Sequence, residues 1–228
     1  YRPSYKVKYK AGLDENGNLI AWHVRGAGTN DDLVFEHRFP AGAVDNYLAE
    51  KHVLQTNVTT GAWRAPRSNF IAGAEQAFMD EVAEASGKDP IEFRLELFDR
   101  AINNPVGDPK QNDYDPERYA GVLKLVKEKS NWNGANSGKA RGVSAYYCHN
   151  SYVAQVLDLE DGGADMPRVD KIWCAVDCGI VVNPLSAKNQ VEGGMVDGIG
   201  HATYSAMTFT DGKPNQSNYD RYRLIRNM

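Results

Sequence analysis

The residues with the most chemical promise lie in the stretch TTGAWRAPRSNFIAGAEQAF, from Thr59 to Phe78. Small residues surround Trp63 and Arg64, a proline follows, and the chain then takes on the spacing of a helix. An arginine beside an aromatic ring offers a fixed cation and a stacking face, which suits the lip of a cofactor pocket. An interface loop uses the same residue types without chemistry. The second candidate is NPLSAKNQVEGGMVDGIGHATYSA, where Gly193, Gly194, Gly198 and Gly200 fall within eight residues. Each glycine inside a helix costs about 1 kcal/mol relative to alanine, so four cost about 4 kcal/mol. Close approach of another backbone or of a ligand would offset that loss, and tight helix packing is as good a reading as a ligand. Gln190 and Glu192 stand next to these glycines, and a buried amide there must find hydrogen-bond partners.

Side-chain metal sites read poorly. Cys174 and Cys178 have C-x₃-C spacing but sit in KIWCAVDCGIVVNP, which has the character of a strand. Four strand residues separate two side chains by about 13 Å, too far for a disulfide and without the turn a zinc pair needs. Both are expected to be buried free thiols. The three cysteines form no disulfide framework, and the five histidines show no ligand spacing. A hydrolase built on two carboxylates would need acids flanking a cleft. Asp80 and Glu84 instead read as helix-surface charges.

Composition narrows the class. At 228 residues, 42% hydrophobic and 25% charged, the chain has the mix of a globular protein with a real core. A net charge of −4 argues against a nucleic-acid partner. No apolar run approaches the roughly 18 residues of a transmembrane helix, and no signal peptide is visible. The start at Tyr1 without an initiator methionine reads as a fragment or a processed chain. The compartment stays open between periplasm and cytoplasm.

The elements that must hold these residues are legible. Tyr5, Val7 and Tyr9 alternate with Lys6, Lys8 and Lys10, which predicts a half-buried strand with a solvated lysine face. The DENGN turn leads back into a second strand from Leu19, and Lys51–Val58 is a further strand candidate. Residues 29–50 between them read as a long connection. A helix is predicted from Ser68 to about Ser86, closed by Gly87, with an apolar stripe through Phe70, Ala74, Ala77, Phe78 and Val82. Asp89, Pro90 and Glu92 form a capping-box pattern for the next helix. A third helix is predicted through Tyr119, Val122, Leu123 and Val126, and further strands over SYVAQVLDLE and RVDKIWCAVD. Asn183 and Pro184 begin the glycine-rich helix. The expected fold is α+β, antiparallel strands with packed helices in two lobes. The lobes divide near residues 131–142: a hairpin-plus-helical lobe over 1–135 and a strand lobe with the glycine-rich helix over 136–228.

TGAWRAPRSNFIAGAEQAFMDEVAEASGKDPIEFRLEL resembles the molybdopterin-binding large subunit of the xanthine dehydrogenase and aldehyde oxidase family. It is most similar to the branch typified by the isoquinoline 1-oxidoreductase beta subunit. YRPSYKVKYKAGLDENGNLIAW, SYVAQVLDLE, CAVDCGIVVNP and QVEGGMVDGIGHA resemble further stretches of that subunit in the same order, so the resemblance covers nearly the whole chain. It implies a molybdenum hydroxylase that hydroxylates an N-heterocycle or an aldehyde with water. It also implies a pterin-held molybdenum cofactor, a glutamate as general base, and a partner subunit carrying [2Fe–2S] clusters. Because the pterin holds the metal, the expected number of side-chain metal ligands is zero.

Carried over by position, Arg64 matches the family arginine beside the molybdenum, with Ala62 and Trp63 framing the same pocket. Gln190 matches the glutamine that hydrogen-bonds the pterin, with Gly193 and Gly194 beside it, whereas Glu192 reads as structural. Pro66 stands where the xanthine-oxidising branch has a substrate-stacking phenylalanine, which puts a purine substrate in doubt. The family's G-x-G-E-P-type base segment and its upstream cofactor segments fall outside these residues. The resemblance therefore makes the chain an internal piece of a larger subunit, its partners the remainder of that subunit and the iron–sulfur subunit. The piece alone is expected to lack activity and stoichiometric molybdenum. The rival reading is a stand-alone binding or assembly module.

Overall fold

A computed structural model describes residues 2–29, 34–61, 65–66, 68–134, 140–160 and 167–226. The hairpin comes first. Strands β1 (Tyr5–Leu13) and β2 (Leu19–Thr29) pair antiparallel, with Lys6, Lys8 and Lys10 exposed on one face. Asp14 Oδ1 accepts from the amides of Asn16 and Asn18 at 2.9 and 2.8 Å, and Gly17 takes the positive φ of 76° that the turn demands. Strand β3 (Asn46–Leu54) then lies parallel to β2, from Ala21↔Asn46 to Thr29↔Leu54. Two expectations are corrected here. The strand begins before Lys51 and stops where β2 stops, and its pairing is parallel because residues 30–45 supply the crossover that parallel strands require.

Helix α1 (Ser68–Ala85) ends as expected, with Gly87 at φ 70° and the Lys88 amide bonded to Ala83 O at 3.0 Å. Its buried face is turned from the expected one. Ile71, Glu75, Gln76, Met79, Val82 and Ala83 are buried, while Ala77 is exposed and Ala74 and Phe78 are half-buried. Phe78 flanks the core instead, with its ring centroid 5.2 Å from Tyr9 and 5.1 Å from Trp22.

Helix α2 (Pro90–Asn103) is capped by Asp89, whose Oδ1 accepts from the amides of Ile91 and Glu92 at 2.9 and 3.2 Å. The capping box is half formed: the Glu92 carboxylate pairs with Lys127 instead of reaching back to the cap. Asp89 Oδ2 also accepts from the indole N–H of buried Trp132 at 2.9 Å. Asp89→Ala therefore removes a cap and orphans a buried donor, and should cost about 2–3 kcal/mol in urea unfolding. Asp89→Asn, which keeps an acceptor, should lose far less.

Helix α3 (Pro116–Lys129), capped by Asp115, packs against α2 and against a second sheet. That sheet is β4 (Ala140–Cys148), β5 (Ser151–Glu160) and β6 (Arg168–Asp177), antiparallel in the order β4-β5-β6. Val143, Ala145, Ala154, Val156 and Ala175 form its buried face and share one core with Met79, Phe93, Phe98 and Leu123. The fold class is α+β.

The division into two units is corrected. The compact units are Tyr1–Gly179 and Ile180–Met228. The second holds helix α4 (Pro184–Thr203) and the short hairpin of β7 (Phe209–Thr210) and β8 (Lys213–Pro214). The stretch around 131–142 does not separate lobes, because both its ends are tied down. Trp132 is buried against α2, and Arg141 donates to Ser130 O at 2.8 Å and to Asp158 at 2.7 Å.

Candidate cofactor-binding site

Helix α4 starts as its sequence dictates. Asn183 Oδ1 accepts from the Ser186 amide at 3.1 Å, and Pro184 occupies the first turn. Of the four glycines, only Gly200 meets a neighbour among the described residues: a Cβ there would come within 3.2 Å of Ile225 Cγ2. A Cβ on Gly193, Gly194 or Gly198 would meet nothing within 4 Å. Among the described residues, then, close backbone approach does not explain these three glycines, against the packing expectation.

The helical repeat puts Gln190, Gly194, Asp197, Gly198 and His201 on one face. Gln190, Gly194, Asp197 and Gly198 are exposed and His201 is half-buried. The face thus presents a side-chain amide, two glycines without side chains at 194 and 198, and the polar side chains of Asp197 and His201, so a flat, donor-rich ring could approach the backbone at the glycines. Glu192 points elsewhere and lies 3.7 Å from Lys188 in an i,i+4 pair. Ile180 and Val182, ahead of the helix, are 93% and 91% exposed.

Ala62, Trp63 and Arg64 lie outside the described residues. Ala65 and Pro66, next in the chain, are exposed, and Ala65 has a φ of 57°. Among the described residues no cluster of His, Cys, Asp and Glu could hold a metal ion. Cys174 is half-buried in β6, where burial pushes its thiol up. Cys178 lies past the end of β6 and is exposed, which corrects its reading as a buried thiol. Among the described residues, no helix is long and apolar enough to cross a membrane.

The first unit contains buried polar groups that sequence reasoning did not single out. Arg94 is 1% exposed and ties α2 to α1 directly and, through Gln76, to β4. Its Nε and Nη2 donate to Gln76 Oε1 at 3.2 and 3.1 Å, and Nη1 donates to Pro90 O at 2.9 Å and meets Asp80 at 2.6 Å. The Ala145 amide also donates to Gln76 Oε1, at 3.1 Å. Asp80, expected as a surface charge, is thus the partner of a buried guanidinium. Arg141 and Asp158 make a second buried pair at 2.7 Å, with the guanidinium over the rings of Trp132 and Trp173. At the end of β6, Arg118 grips both oxygens of Asp177 at 2.8 Å and holds its carboxyl down at about 2. The signal available beforehand was a Glu-Gln pair set between apolar residues of α1.

The molybdopterin cofactor-binding domain family matches residues 113–228, just over half of the chain. The chain belongs to that family. Helix α4, with Gln190 and its glycines, falls within the matched domain, whereas Arg64 precedes it. The chain is 28% identical over 158 residues to the isoquinoline 1-oxidoreductase subunit beta of Brevundimonas diminuta, covering 67% of this chain and 18% of that protein. It is 29% identical over 201 residues to the membrane-bound aldehyde dehydrogenase [pyrroloquinoline-quinone] of Gluconacetobacter polyoxogenes, covering 82% of this chain and 24% of that protein. This chain thus spans a quarter or less of these curated relatives. The crystal structure of quinoline 2-oxidoreductase from Pseudomonas putida 86 shares the fold, with a TM-score of 0.73. That match covers 99% of this chain and 53% of the other at 11% identity.

Proposed function

We propose that this chain forms one wall of the cofactor pocket of a molybdenum hydroxylase acting on an N-heterocycle or an aldehyde. The observation that carries this reading is the open face of α4 inside the molybdopterin cofactor-binding domain. There an exposed amide, Gln190, precedes glycines whose Cβ positions meet no atom of the described residues within 4 Å. A pterin is flat and rich in donors and acceptors, and a primary amide can both donate to it and accept from it. Gly193 and Gly194 leave the backbone bare so that such a ring can approach. Arg64, carried over by resemblance, would hold a fixed positive charge near the metal, with Ala62 and Trp63 framing the same pocket.

Bound there, the cofactor would supply the two-electron oxidation of the substrate with oxygen drawn from water. The chain's own contribution is to orient the cofactor and to shape the field around it. The proposed partners are a small subunit with [2Fe–2S] clusters, which takes the electrons, and the rest of a larger molybdopterin-binding subunit. The heterocycle and aldehyde classes rest on the names of the two relatives. The second reading, a binding or assembly module without catalysis, makes the opposite prediction for metal content.

The test is elemental and pterin analysis of the natural protein that contains this chain, with heterocycle and aldehyde oxidation measured against an artificial electron acceptor. About one molybdenum and one pterin per chain, with turnover, is the expected result. Quinone in place of pterin, or no cofactor, overturns the reading.

Two variants test the face itself. Gln190→Leu and Gly194→Leu should each lower pterin and molybdenum content. Neither should destabilise the chain by more than about 1 kcal/mol, since Gly194 has open space around it and leucine is the better helix former. Full cofactor content in both variants would remove α4 from the site.

A further inference from the structure

Glu75 sits two turns into α1, and its side chain is turned into the first unit instead of toward solvent. The residue is 8% exposed. Among the described residues its carboxyl has one hydrogen bond, from Gln76 Nε2 to Oε1 at 3.3 Å. Beside it is a cavity of about 20 Å³ lined by Tyr5, Tyr9, Trp22, Arg38, Tyr47 and Ile71, among others. A space of that size takes one water molecule. A buried carboxylate normally has an ion partner or several donors, and Glu75 has neither at contact distance.

The surrounding groups explain why. Arg38 lines the same cavity and is the cation acting most strongly on Glu75, but its donor Nη2 is bonded to Tyr147 O at 2.6 Å and its guanidinium lies over the rings of Phe35, Tyr146 and Tyr147. Arg94, from α2, is held by Gln76, Asp80 and Pro90. Tyr47 of β3 and Tyr119 of α3 donate their hydroxyl protons to Phe35 O and Ala145 O. The tyrosines that face Glu75, from β1 (Tyr5, Tyr9), β3 (Tyr47), β4 (Tyr146) and α3 (Tyr119), all have hydroxyls pushed above their usual range by burial. They stay neutral through neutral pH, and Arg38, its own value raised, stays charged.

We propose that Glu75 is a pH switch built into the first unit, a buried proton-binding residue whose neutral form the tyrosine-lined cavity accepts and whose ionised form weakens the packing of α1 on the first sheet. The geometry favours the acid: a neutral carboxyl needs fewer partners than a carboxylate, and the cavity provides few. Burial raises its pKa and the Arg38 charge lowers it. Burial prevails, and the group is pushed up to about 7.

The sign follows from linkage. In the unfolded chain the carboxyl loses its proton near its ordinary value of 4.5, and in the folded chain near 7. Between these values the folded state binds the extra proton, so stability falls as pH rises through that window and levels off above it.

The experiment is urea unfolding of the chain at intervals from pH 5 to 8, for the wild type and for Glu75→Gln. Glutamine keeps an acceptor for Gln76 and cannot ionise. The wild-type unfolding constant should rise about 10²-fold more than that of the variant across this range. Infrared difference spectroscopy of the wild type should show a carboxylic-acid band that titrates near neutral pH. Parallel pH profiles for the two proteins would overturn the proposal. So would a spectrum in which every carboxyl band has vanished by about pH 6, where a carboxyl of ordinary value is almost fully ionised, and that reading needs no folded variant.

Discussion

Arg94→Leu is expected to lower the unfolding free energy by about 3–5 kcal/mol, the range for removing one member of a buried ion pair. The guanidinium is 1% exposed and joins Gln76 of α1, Asp80 of α1 and the Pro90 carbonyl of α2. Leucine fills much of the space but leaves Gln76 Oε1 with the Ala145 amide alone. It also leaves Asp80 facing an apolar side chain, although Asp80 is 41% exposed and can turn partly to water. Arg94→Lys should recover little, because one ammonium cannot serve Gln76, Asp80 and Pro90 from a planar fork. Urea unfolding followed by circular dichroism measures both. A loss below about 1 kcal/mol for Arg94→Leu would mean that the network is hydrated in solution.

The largest functional effect is expected at Arg64 in the natural, cofactor-loaded protein. If it is placed near the molybdenum, as its resemblance to the family arginine implies, its charge acts on groups that become more negative during the reaction. Removing one such stabilising group typically lowers turnover by about 10²–10³-fold, and Arg64→Ala should fall in that range with molybdenum content retained. Arg64→Lys should restore only part of the activity. Unchanged turnover at full molybdenum content would assign Arg64 to the scaffold. Loss of molybdenum in step with activity would make it a cofactor anchor instead.

Local rules in the sequence determined a good deal. The lysine-faced strand, the Asp14–Asn18 turn, the Asp89 and Asp115 caps, the Gly87 stop and the Asn183-Pro184 start of α4 are each set by neighbouring residues, through turn chemistry and capping. Their positions therefore required no knowledge of the rest of the chain. The family resemblance was likewise legible, because motifs such as CAVDCGIVVNP and QVEGGMVDGIGHA are contiguous.

Other features depend on partners far away in the chain, and there only the tertiary structure decided. Hydrophobic spacing in α1 favoured Phe70, Ala74 and Ala77. The helix instead turns Glu75 and Gln76 inward, because Arg94 and the Ala145 amide, 18 and 69 residues away, supply the bonds that make a buried Gln76 tolerable. Strand β3 runs parallel to β2 because of a crossover that no local pattern encodes. The two ends of the apparent linker are tied to the first unit by the Trp132–Asp89 and Arg141–Asp158 contacts. The glycines of α4 gave the same signal whether they met a backbone or open space. Only the spatial surroundings show, among the described residues, a neighbour at Gly200 and none at Gly193, Gly194 and Gly198. A sequence records which side chain is missing, and the fold alone determines what would have occupied its place.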